Sequence, residues 1–264
     1  MEETIDKKKL ESLAAEWLME DESLEDLQNG YYLIQKKDGF RFGVDAVLLA
    51  DFAKIKKGEK VLEMGSGTGI IPILLATRYN PSKIEAIEIQ KPFVEMGNRS
   101  LKLNKLDGFV KINHLDLKEG PEFFGKAVFD VVVTNPPYMK AESGINCPQE
   151  ERNIACFEVK CTIDDVIHSA KDLLRSGGRF YMVHRADRLV DIIFAMRNAG
   201  LEPKHIRFVQ SKPRSKPHLI LICGVRSGGP ELKIEEPLII YEENGRTYTE
   251  EILRIYGRSG RIER

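Results

Sequence analysis

The sequence has little of several features that would place a protein in a class at once. Its 264 residues include four cysteines and one tryptophan, and the formal net charge is −1. The cysteines at positions 147, 156, 161 and 223 show no C-x-x-C spacing and no histidine at zinc-ligand intervals, which predicts reduced thiols in a cytosol and no metal site. No stretch approaches about eighteen apolar residues, and the charged N-terminus lacks an apolar core. The sequence therefore predicts a cytoplasmic protein without a membrane span.

Charge is distributed unevenly along the chain although the total is close to zero. Residues 1–29 hold ten acidic residues against three lysines, whereas residues 203–230 hold six lysines and arginines and no acid. In the basic stretch, Lys212, Arg214 and Lys216 are separated by serine and proline, a composition typical of a surface loop that contacts phosphates. The alternative is a solvated connection between two strands, which the same residues would also suit.

A glycine-rich loop follows a short apolar strand near position 64. Residues 61–64 are typical of a buried strand and residues 70–76 of an apolar helix, with Pro72 tolerated in its first turn. Glycines between a strand and a helix allow a tight turn and a close approach of the backbone to a ligand. A dinucleotide fingerprint would need glycine at position 70, which is isoleucine, and a P-loop would need Gly-Lys-Ser/Thr. The predicted cofactor contacts in this loop are Glu63, Gly65, Ser66, Gly67 and Gly69.

Two acidic residues farther along the chain make this interpretation more specific. Residues 84–89 alternate as a strand, and Glu88 lies near its end, nineteen residues after Gly69. A carboxylate in that place can accept both hydroxyls of a ribose. Glu85 is the competing candidate, but its mid-strand position favours a side chain that faces a helix or solvent. Asp116, after the strand-like residues 110–114, is expected to accept from an adenine amino group.

The predicted chemistry belongs to Asn135, Pro136, Pro137 and Tyr138, which follow the apolar residues 129–134. The side-chain carbonyl of Asn135 and the main-chain carbonyl of Pro136 can each accept one N–H of an exocyclic amine. This frees the nitrogen lone pair and favours the charge that develops in the transition state. The prolines fix φ, and Tyr138 offers a flat face to an extruded base. The alternative is a strand-ending turn without chemistry, but together with the glycine loop these residues predict methyl transfer to a planar nitrogen.

The chain resembles the class I methyltransferases of the N6-adenine type. Within them it is similar to the bacterial enzymes that methylate N6 of the adenosine beside the anticodon of a valine tRNA. The resemblance runs from about residue 29 to about residue 257 and also includes residues 40–50 (FRFGVDAVLLA), residues 176–183 (SGGRFYMV) and the closing tyrosines 241, 248 and 256. In the loop after Tyr138, family members often carry Ala-Arg-His-Glu, where residues 155–158 here read Ala-Cys-Phe-Glu.

The resemblance implies S-adenosylmethionine as cofactor, S-adenosylhomocysteine as product, and RNA, expected to be a tRNA, as partner. It implies that residues 40–50 close over the methionine part of the cofactor, which makes Phe42 and Asp45 expected cofactor contacts. The remaining cofactor contacts that it implies are Ile89, Leu117 and Asn135. A guanine-N2 rRNA methyltransferase is the alternative enzyme. An alternative from another functional class is a catalytically idle RNA-binding protein on the same fold. The intact glycines and Asn135 argue against it. A monomer or a weak homodimer is expected.

Alternating strand and helix patterns predict a Rossmann-like α/β fold with a mostly parallel seven-stranded sheet and helices on both faces. An antiparallel C-terminal hairpin is expected from residues 205–210 and 218–225. The predicted organisation is an acidic N-terminal extension over residues 1–29 with a helix at 6–20, a methyltransferase domain over residues 30–226, and a C-terminal extension over residues 227–264 packed on that domain. Because each motif follows a strand, ligands should lie at the carboxyl edge of the sheet. The irregular residues 139–162 are expected to form a lid or binding loop.

Overall fold

The computed structural model describes residue 12 and residues 16–28, 30–38, 43–138 and 161–257. The described strands are β1 (Glu22–Gln28), β2 (Tyr31–Lys36), β3 (Lys60–Met64), β4 (Lys83–Glu88), β5 (Val110–His114), β6 (Phe129–Thr134), β7 (Leu174–Arg185), β8 (Leu201–Gln210), β9 (Pro217–Arg226) and β10 (Lys233–Ile239). The described α-helices are α1 (Val44–Phe52), α2 (Ile70–Arg78), α3 (Lys91–Leu103), α4 (Gly120–Phe124), α5 (Ile163–Leu173), α6 (Leu189–Ala199) and α7 (Glu250–Ile255).

Eight of these strands form one sheet in the order β10-β8-β9-β7-β6-β3-β4-β5. Neighbouring strands are parallel except where β9 runs antiparallel to β7 and to β8. Apolar stretches such as residues 129–134 form the central strands because a parallel sheet is covered on both faces. The prediction of a mostly parallel sheet with an antiparallel hairpin and helices on both faces is confirmed.

The sheet differs from the prediction at one edge. β10 lies in the predicted C-terminal extension and pairs in parallel with β8, so the sheet has eight strands where seven were expected. The sequence signal for this strand is weak, because it contains Lys233, Glu235, Glu236 and a proline at position 237. Charged residues and proline are tolerated on an edge strand, where one side of the backbone faces solvent.

β1 and β2 form a separate antiparallel hairpin that packs on α3. Asn104, just after α3, accepts the N–H of Tyr32 at 2.8 Å and donates to its carbonyl oxygen at 2.6 Å. Glu22, which is buried, pairs with both terminal nitrogens of Arg99. The extension predicted as helical therefore contains a strand, and the expected boundary after residue 29 falls within this hairpin. Most of the helix predicted at residues 6–20 lies outside the described residues.

Side chains of the central strands alternate between two apolar clusters, one on each face of the sheet. Val61 and Val131 face the cluster formed with α1, α2 and α7, whereas Leu62 and Val132 face the cluster formed with α5 and α6. This packing fixes the positions of the strand ends. The residues that follow β3, β4, β5 and β6 are consequently held next to one another at the carboxyl edge.

Candidate active site

Four neighbouring strands end at the same edge of the sheet and enclose a cleft there. β6, β3, β4 and β5 are parallel and adjacent, so the residues after them lie side by side. Eleven residues predicted from the sequence line this cleft: Glu63, Gly65, Ser66, Gly67, Glu88, Ile89, Asp116, Leu117, Asn135, Pro136 and Pro137. The two halves of the predicted site therefore meet in one cleft.

The lining also contains residues that the sequence did not single out. Gln90 and Phe93 follow the end of β4, and Thr134 is the last residue of β6. A search for residues next to predicted strand ends would have found Gln90 and Thr134. Cys161 also lines the cleft, although it comes just before α5 and is remote in sequence from the four strands that end there. It falls within residues 139–162, the segment that the sequence predicts to be a lid or binding loop.

The glycine loop makes a tight turn between β3 and α2. The N–H of Gly65 donates to the Ile87 carbonyl oxygen at 2.9 Å, which ties the loop to the neighbouring strand. Gly65, Gly67 and Gly69 have φ angles of +74°, +53° and +91°, in the left-handed region that other residues rarely adopt. At Gly69 an added Cβ would also lie 2.8 Å from Ile112 Cδ1. Backbone geometry thus accounts for all three glycines.

Glu88 ends β4 and directs its carboxylate onto the glycine loop. Its Oε2 accepts the N–H of Gly67 at 2.9 Å, and its Oε1 accepts the N–H of Gln90 at 2.8 Å. Burial raises the pKa of the Glu88 carboxyl, while these N–H groups act in the opposite direction. The competing Glu85 accepts instead from Asn113 Nδ2 at 2.8 Å and is not among the described residues that line the cleft. Glu88 is therefore the strand-end acid of β4 that faces this cleft.

Glu63 is buried in the cleft wall, and its carboxylate has no hydrogen-bond partner among the residues that the structure describes. It is 1% exposed, and neither of its carboxylate oxygens has a hydrogen bond within the described residues; the same is true of Ser66 Oγ. Burial, and secondly the charge of Glu88, raise the pKa of the Glu63 carboxyl well above its usual value. A buried polar group without a partner costs free energy. These atoms are consequently suited to a ligand that brings hydrogen-bond donors.

Asp116 follows β5 and begins the short 3-10 helix Leu117–Glu119. Its Oδ1 accepts the N–H of Lys118 at 3.0 Å, and the Lys118 ammonium lies 3.6 Å from its Oδ2. The carboxylate therefore stabilises the turn at the rim of the cleft. Each carboxylate oxygen has two lone pairs, so acceptor capacity for a ligand remains.

The predicted catalytic asparagine comes directly after β6. Thr134 is paired with Met64 of β3 in parallel register, which places Asn135 beside the start of the glycine loop. Asn135 Oδ1 accepts the hydroxyl of Tyr138 at 2.6 Å, and Asn135 Nδ2 donates to Asp45 Oδ2 at 3.2 Å. The asparagine amide is thus held by two side chains.

Tyr138 is folded against the protein with its hydroxyl between two acceptors. The phenolic oxygen lies 2.5 Å from Asp45 Oδ2 and 2.6 Å from Asn135 Oδ1, but its single hydrogen can serve one acceptor at a time. The ring centroid lies 5.2 Å from that of His184, with an interplanar angle of 57°. Burial, followed by the charge of Asp45, raises the pKa of Tyr138 well above its usual value. The hydroxyl therefore keeps its hydrogen at neutral pH.

His184 lies behind Tyr138 and is completely buried. Its Nδ1 lies 2.8 Å from the N–H of Arg185 and accepts from it, which assigns the ring hydrogen to Nε2. That Nε2 has no hydrogen-bond partner within the described residues. Burial lowers the pKa of His184 to about 4, and the positive charge of Arg188 acts in the same direction. The ring is therefore neutral at physiological pH.

The basic residues Lys212, Arg214 and Lys216 lie in the loop between β8 and β9. Because β8 runs parallel to β6 and β7, this loop is at the same edge of the sheet as Asn135. All three residues are exposed, and their side chains form no ion pair with the part of the chain that the structure describes. Their charges are available to an anionic partner.

Several predicted features lie outside the described residues. These are Phe42, nearly all of the expected lid at 139–162, and residues 155–158. Across the described ranges, no helix combines the length and the apolar character needed to cross a bilayer. The same ranges contain no group of three or more His, Cys, Asp or Glu residues arranged to hold a metal ion.

Comparison with known proteins identifies a family and relatives of similar sequence. The model of the methyltransferase small domain family matches residues 42–197. A protein of Phocaeicola vulgatus named tRNA1(Val) (adenine(37)-N6)-methyltransferase is 30% identical over 183 residues, which is 69% of this chain and 76% of that protein.

Solved structures of methyltransferases share the fold. A predicted O-methyltransferase from Agrobacterium tumefaciens superposes with a TM-score of 0.64 at 21% identity, over 81% of this chain and 96% of that one. Geranyl diphosphate C-methyltransferase from Streptomyces coelicolor A3(2), in complex with Mg²⁺, geranyl diphosphate and S-adenosyl-L-homocysteine, superposes with a TM-score of 0.52 at 15% identity, over 69% and 77% of the two chains. At these identities the likeness concerns the fold.

Proposed function

The chain belongs to the methyltransferase small domain family, and we propose that it transfers the methyl group of S-adenosylmethionine to N6 of an adenosine in tRNA, close to the anticodon. The observation that carries the proposal is the position of Asn135, which lies in the same cleft as the orphaned carboxylate of Glu63 and the strand-end carboxylate of Glu88. The relative from Phocaeicola vulgatus is named for this reaction on adenine 37 of tRNA1(Val).

The residues of the cleft fit S-adenosylmethionine as the methyl donor. Glu88 is buried beside the glycine loop and retains lone pairs for the ribose hydroxyls. Glu63 has two oxygens that no described residue bonds, and these suit the ammonium group of the methionine part. Asp116 at the rim suits the adenine amino group. Together these acids would hold the three parts of the cofactor that carry hydrogen-bond donors.

The bound cofactor supplies an activated methyl group, so the protein has to present an amine to it in the correct orientation. Asn135 Oδ1 would accept one N–H of that amine, and the main-chain carbonyl of Pro136 the other. Two acceptors favour the positive charge that develops on the nitrogen. Tyr138 keeps its hydrogen, and His184 with a pKa of about 4 is a weak base, so these side chains do not provide a strong base. None is needed, because the amine nitrogen would attack the methyl carbon with its own lone pair while the bond from that carbon to the cofactor sulfur breaks, and the methylated nitrogen would then lose its extra proton to solvent.

The loop of Lys212, Arg214 and Lys216 supports RNA as the partner. Three inter-strand steps separate β6 from β8. At roughly 4.8 Å per step, they set β8 about 14 Å from β6. Ile206 of β8 is level with Thr134, and β8 continues for four residues, roughly 13 Å, before the loop begins, so the loop starts about 20 Å from Asn135. At that distance its cations can contact the phosphates of nucleotides near an extruded adenosine. An exposed cluster of three cations that form no ion pair with the described part of the chain is suited to this contact.

The test is methylation of unmodified tRNA and, in a parallel reaction, of unmodified ribosomal RNA by the purified protein with isotope-labelled S-adenosylmethionine. Wild type and Asn135→Ala are compared, and the labelled nucleoside is identified after digestion and then located in the tRNA. The expected product is N6-methyladenosine near the anticodon of a valine tRNA, formed by wild type and nearly absent with the variant.

Two other results would replace the proposal. Labelled N2-methylguanosine in ribosomal RNA would support the guanine-N2 alternative. Normal cofactor binding without transfer to tRNA or to ribosomal RNA would support the catalytically idle RNA-binding protein.

A further inference from the structure

Asp45 contacts Asn135 and Tyr138 from the first turn of α1. It is not among the described residues that line the cleft, although Gly43 and Ala46 on either side of it are. Its Oδ2 accepts from Asn135 Nδ2 at 3.2 Å and lies 2.5 Å from the Tyr138 hydroxyl, and its Oδ1 accepts the N–H of Ala46 at 3.0 Å. The carboxylate therefore contacts the two predicted catalytic side chains.

Gly43 leaves the space that this carboxylate occupies. An added Cβ at position 43 would lie 2.6 Å from Asp45 Oδ1. The φ of Gly43 is −95°, which any residue can adopt. The constraint at this position consequently comes from the Asp45 side chain and not from the backbone. A methyl group there would displace the carboxylate without forcing the backbone into a strained conformation.

The carboxylate determines which way the Asn135 amide faces. With the amide rotated by 180°, its carbonyl oxygen would face Asp45 Oδ2, and two acceptors would meet without a hydrogen between them. With Nδ2 bonded to Asp45, Oδ1 is the atom left for a donor. The Tyr138 hydroxyl reaches the same carboxylate. Its hydrogen can therefore turn to Asp45 when an incoming amine donates to Asn135 Oδ1.

We propose that Asp45 is a positioning residue for methyl transfer, which holds the Asn135 amide and the Tyr138 hydroxyl so that the asparagine carbonyl faces the target amine. This inference rests on the proposed function, because it needs a substrate amine that donates to Asn135. The negative charge of Asp45 also polarises the amide and strengthens its carbonyl as an acceptor. Such a role predicts an effect on turnover, whereas the cofactor contact expected for Asp45 from the sequence predicts an effect on cofactor affinity.

A double-mutant cycle separates these two roles. Asp45→Ala, Asn135→Ala and the double variant are compared by single-turnover methylation of tRNA and by calorimetric titration with S-adenosylmethionine. Asp45→Ala is expected to lower the rate roughly tenfold to a hundredfold with nearly unchanged cofactor affinity. In the Asn135→Ala background the same change is expected to cost less than about twofold, because the group that it positions is absent. Rate losses that multiply, or a cofactor dissociation constant that rises by as much as the rate falls, would overturn the proposal.

Gly43→Ala tests the same contact without removing any charge. The variant is expected to keep its melting temperature and to lose part of the rate that Asp45→Ala loses, since the added methyl displaces the carboxylate from Asn135. A rate equal to that of wild type would contradict the proposal. Asp45→Asn, which keeps an acceptor but no charge, is expected to lie between wild type and Asp45→Ala.

A measurement without substrate distinguishes failure of this inference from failure of the proposed function. If wild type methylates no tRNA, the proposed function fails, and the side-chain amide of Asn135 is then followed by ¹⁵N NMR, with Asn135→Ala identifying its signals. The amide proton that faces Asp45 is expected to exchange slowly with water in wild type and rapidly in Asp45→Ala. Equal exchange in the two proteins would show that Asp45 does not hold the amide.

Discussion

The hydroxyl of Thr134 donates a hydrogen bond to the carbonyl oxygen of Met64 at 2.9 Å, so the last residue of β6 is bonded to the last residue of β3. Both residues are about 1% exposed or less. The bond joins the two strand ends from which the glycine loop and the Asn135 turn begin, although they are 70 positions apart in sequence. The turn at Asn135 and the glycine loop are thereby fixed relative to each other.

Asn135→Ala should fold, bind S-adenosylmethionine nearly as wild type does, and lose on the order of a hundredfold or more in turnover, because it removes one preorganised acceptor. Single-turnover rates and calorimetry measure the two quantities. A variant with reduced melting temperature but normal activity per folded molecule would instead mean that the turn is only structural.

Asn135→Asp adds a control that depends on Asp45. The new carboxylate would lie where Asn135 Nδ2 now donates to Asp45, and two carboxylates at that distance repel each other. The variant keeps an acceptor oxygen at position 135 and should therefore retain measurable activity. The repulsion from Asp45 should hold that activity below the level expected if residue 45 carried no charge. Adding Asp45→Asn restores a donor opposite the acid and should raise the activity again. If the second change lowers activity further, the pairing of residues 45 and 135 has no part in catalysis.

Glu88→Gln should weaken S-adenosylmethionine binding about tenfold to a hundredfold, since it removes a charged acceptor from the ribose hydroxyls. It should also lower the melting temperature slightly, because Glu88 accepts the N–H groups of Gly67 and Gln90. Glu85→Gln is the matched control, as Glu85 is buried on the same strand but bonded to Asn113. Equal affinities for wild type and Glu88→Gln would exclude Glu88 as the ribose ligand.

The central sheet and the glycine loop could be predicted because each is specified by residues that are adjacent in the sequence. Apolar runs marked the central strands, and the left-handed conformations of Gly65, Gly67 and Gly69 need a residue type that is visible in the sequence. Contacts that depend on how distant elements dock left no such signal. Asp45 and Asn135 are 90 positions apart, and their contact depends on the placement of α1 against the end of β6. β10 was missed because the charges and the proline of an edge strand resemble those of a loop.

Replacing Lys212, Arg214 and Lys216 by alanine should weaken tRNA binding and flatten its salt dependence while cofactor affinity stays the same. If each cation contacts one phosphate of a single strand, the negative slope of log affinity against log salt concentration should become less steep by about 2. Lys56, Lys57 and Lys60 are the matched control, because they are exposed and lie at the opposite edge of the sheet, before and at the start of β3. A loss of the same size from both triple variants would mean that the effect is only one of net charge.

His184 should make the free energy of unfolding depend on pH. Its pKa is about 4 in the native protein against an ordinary value of 6.5. Between these values the unfolded chain therefore binds more protons, and stability falls as the pH drops through this window. From pH 7 to pH 5 the expected loss is about 2 kcal/mol, measured by urea denaturation. His184→Asn keeps an acceptor for the Arg185 N–H but has no imidazole to protonate. Between pH 7 and pH 5 its free energy of unfolding should therefore fall by about 2 kcal/mol less than that of wild type. His168→Asn, at an exposed helix position, should behave as wild type does; His184→Asn with a wild-type pH profile would contradict the burial argument.

Glu63 should release a proton when the cofactor binds. Burial and the charge of Glu88 raise the pKa of its carboxyl, and a cationic ligand group beside its two unpartnered oxygens would lower that pKa again. The Glu63 carboxyl then holds a proton in the free protein but not in the complex. The affinity for S-adenosylmethionine should therefore rise with pH between the pKa of Glu63 in the complex and its higher pKa in the free protein. The apparent binding enthalpy should also differ between buffers of low and high ionisation enthalpy, such as phosphate and Tris. Glu63→Gln should remove both effects, whereas Glu85→Gln should keep them. A wild-type enthalpy that is the same in both buffers would mean that Glu63 does not meet the ammonium group of the cofactor.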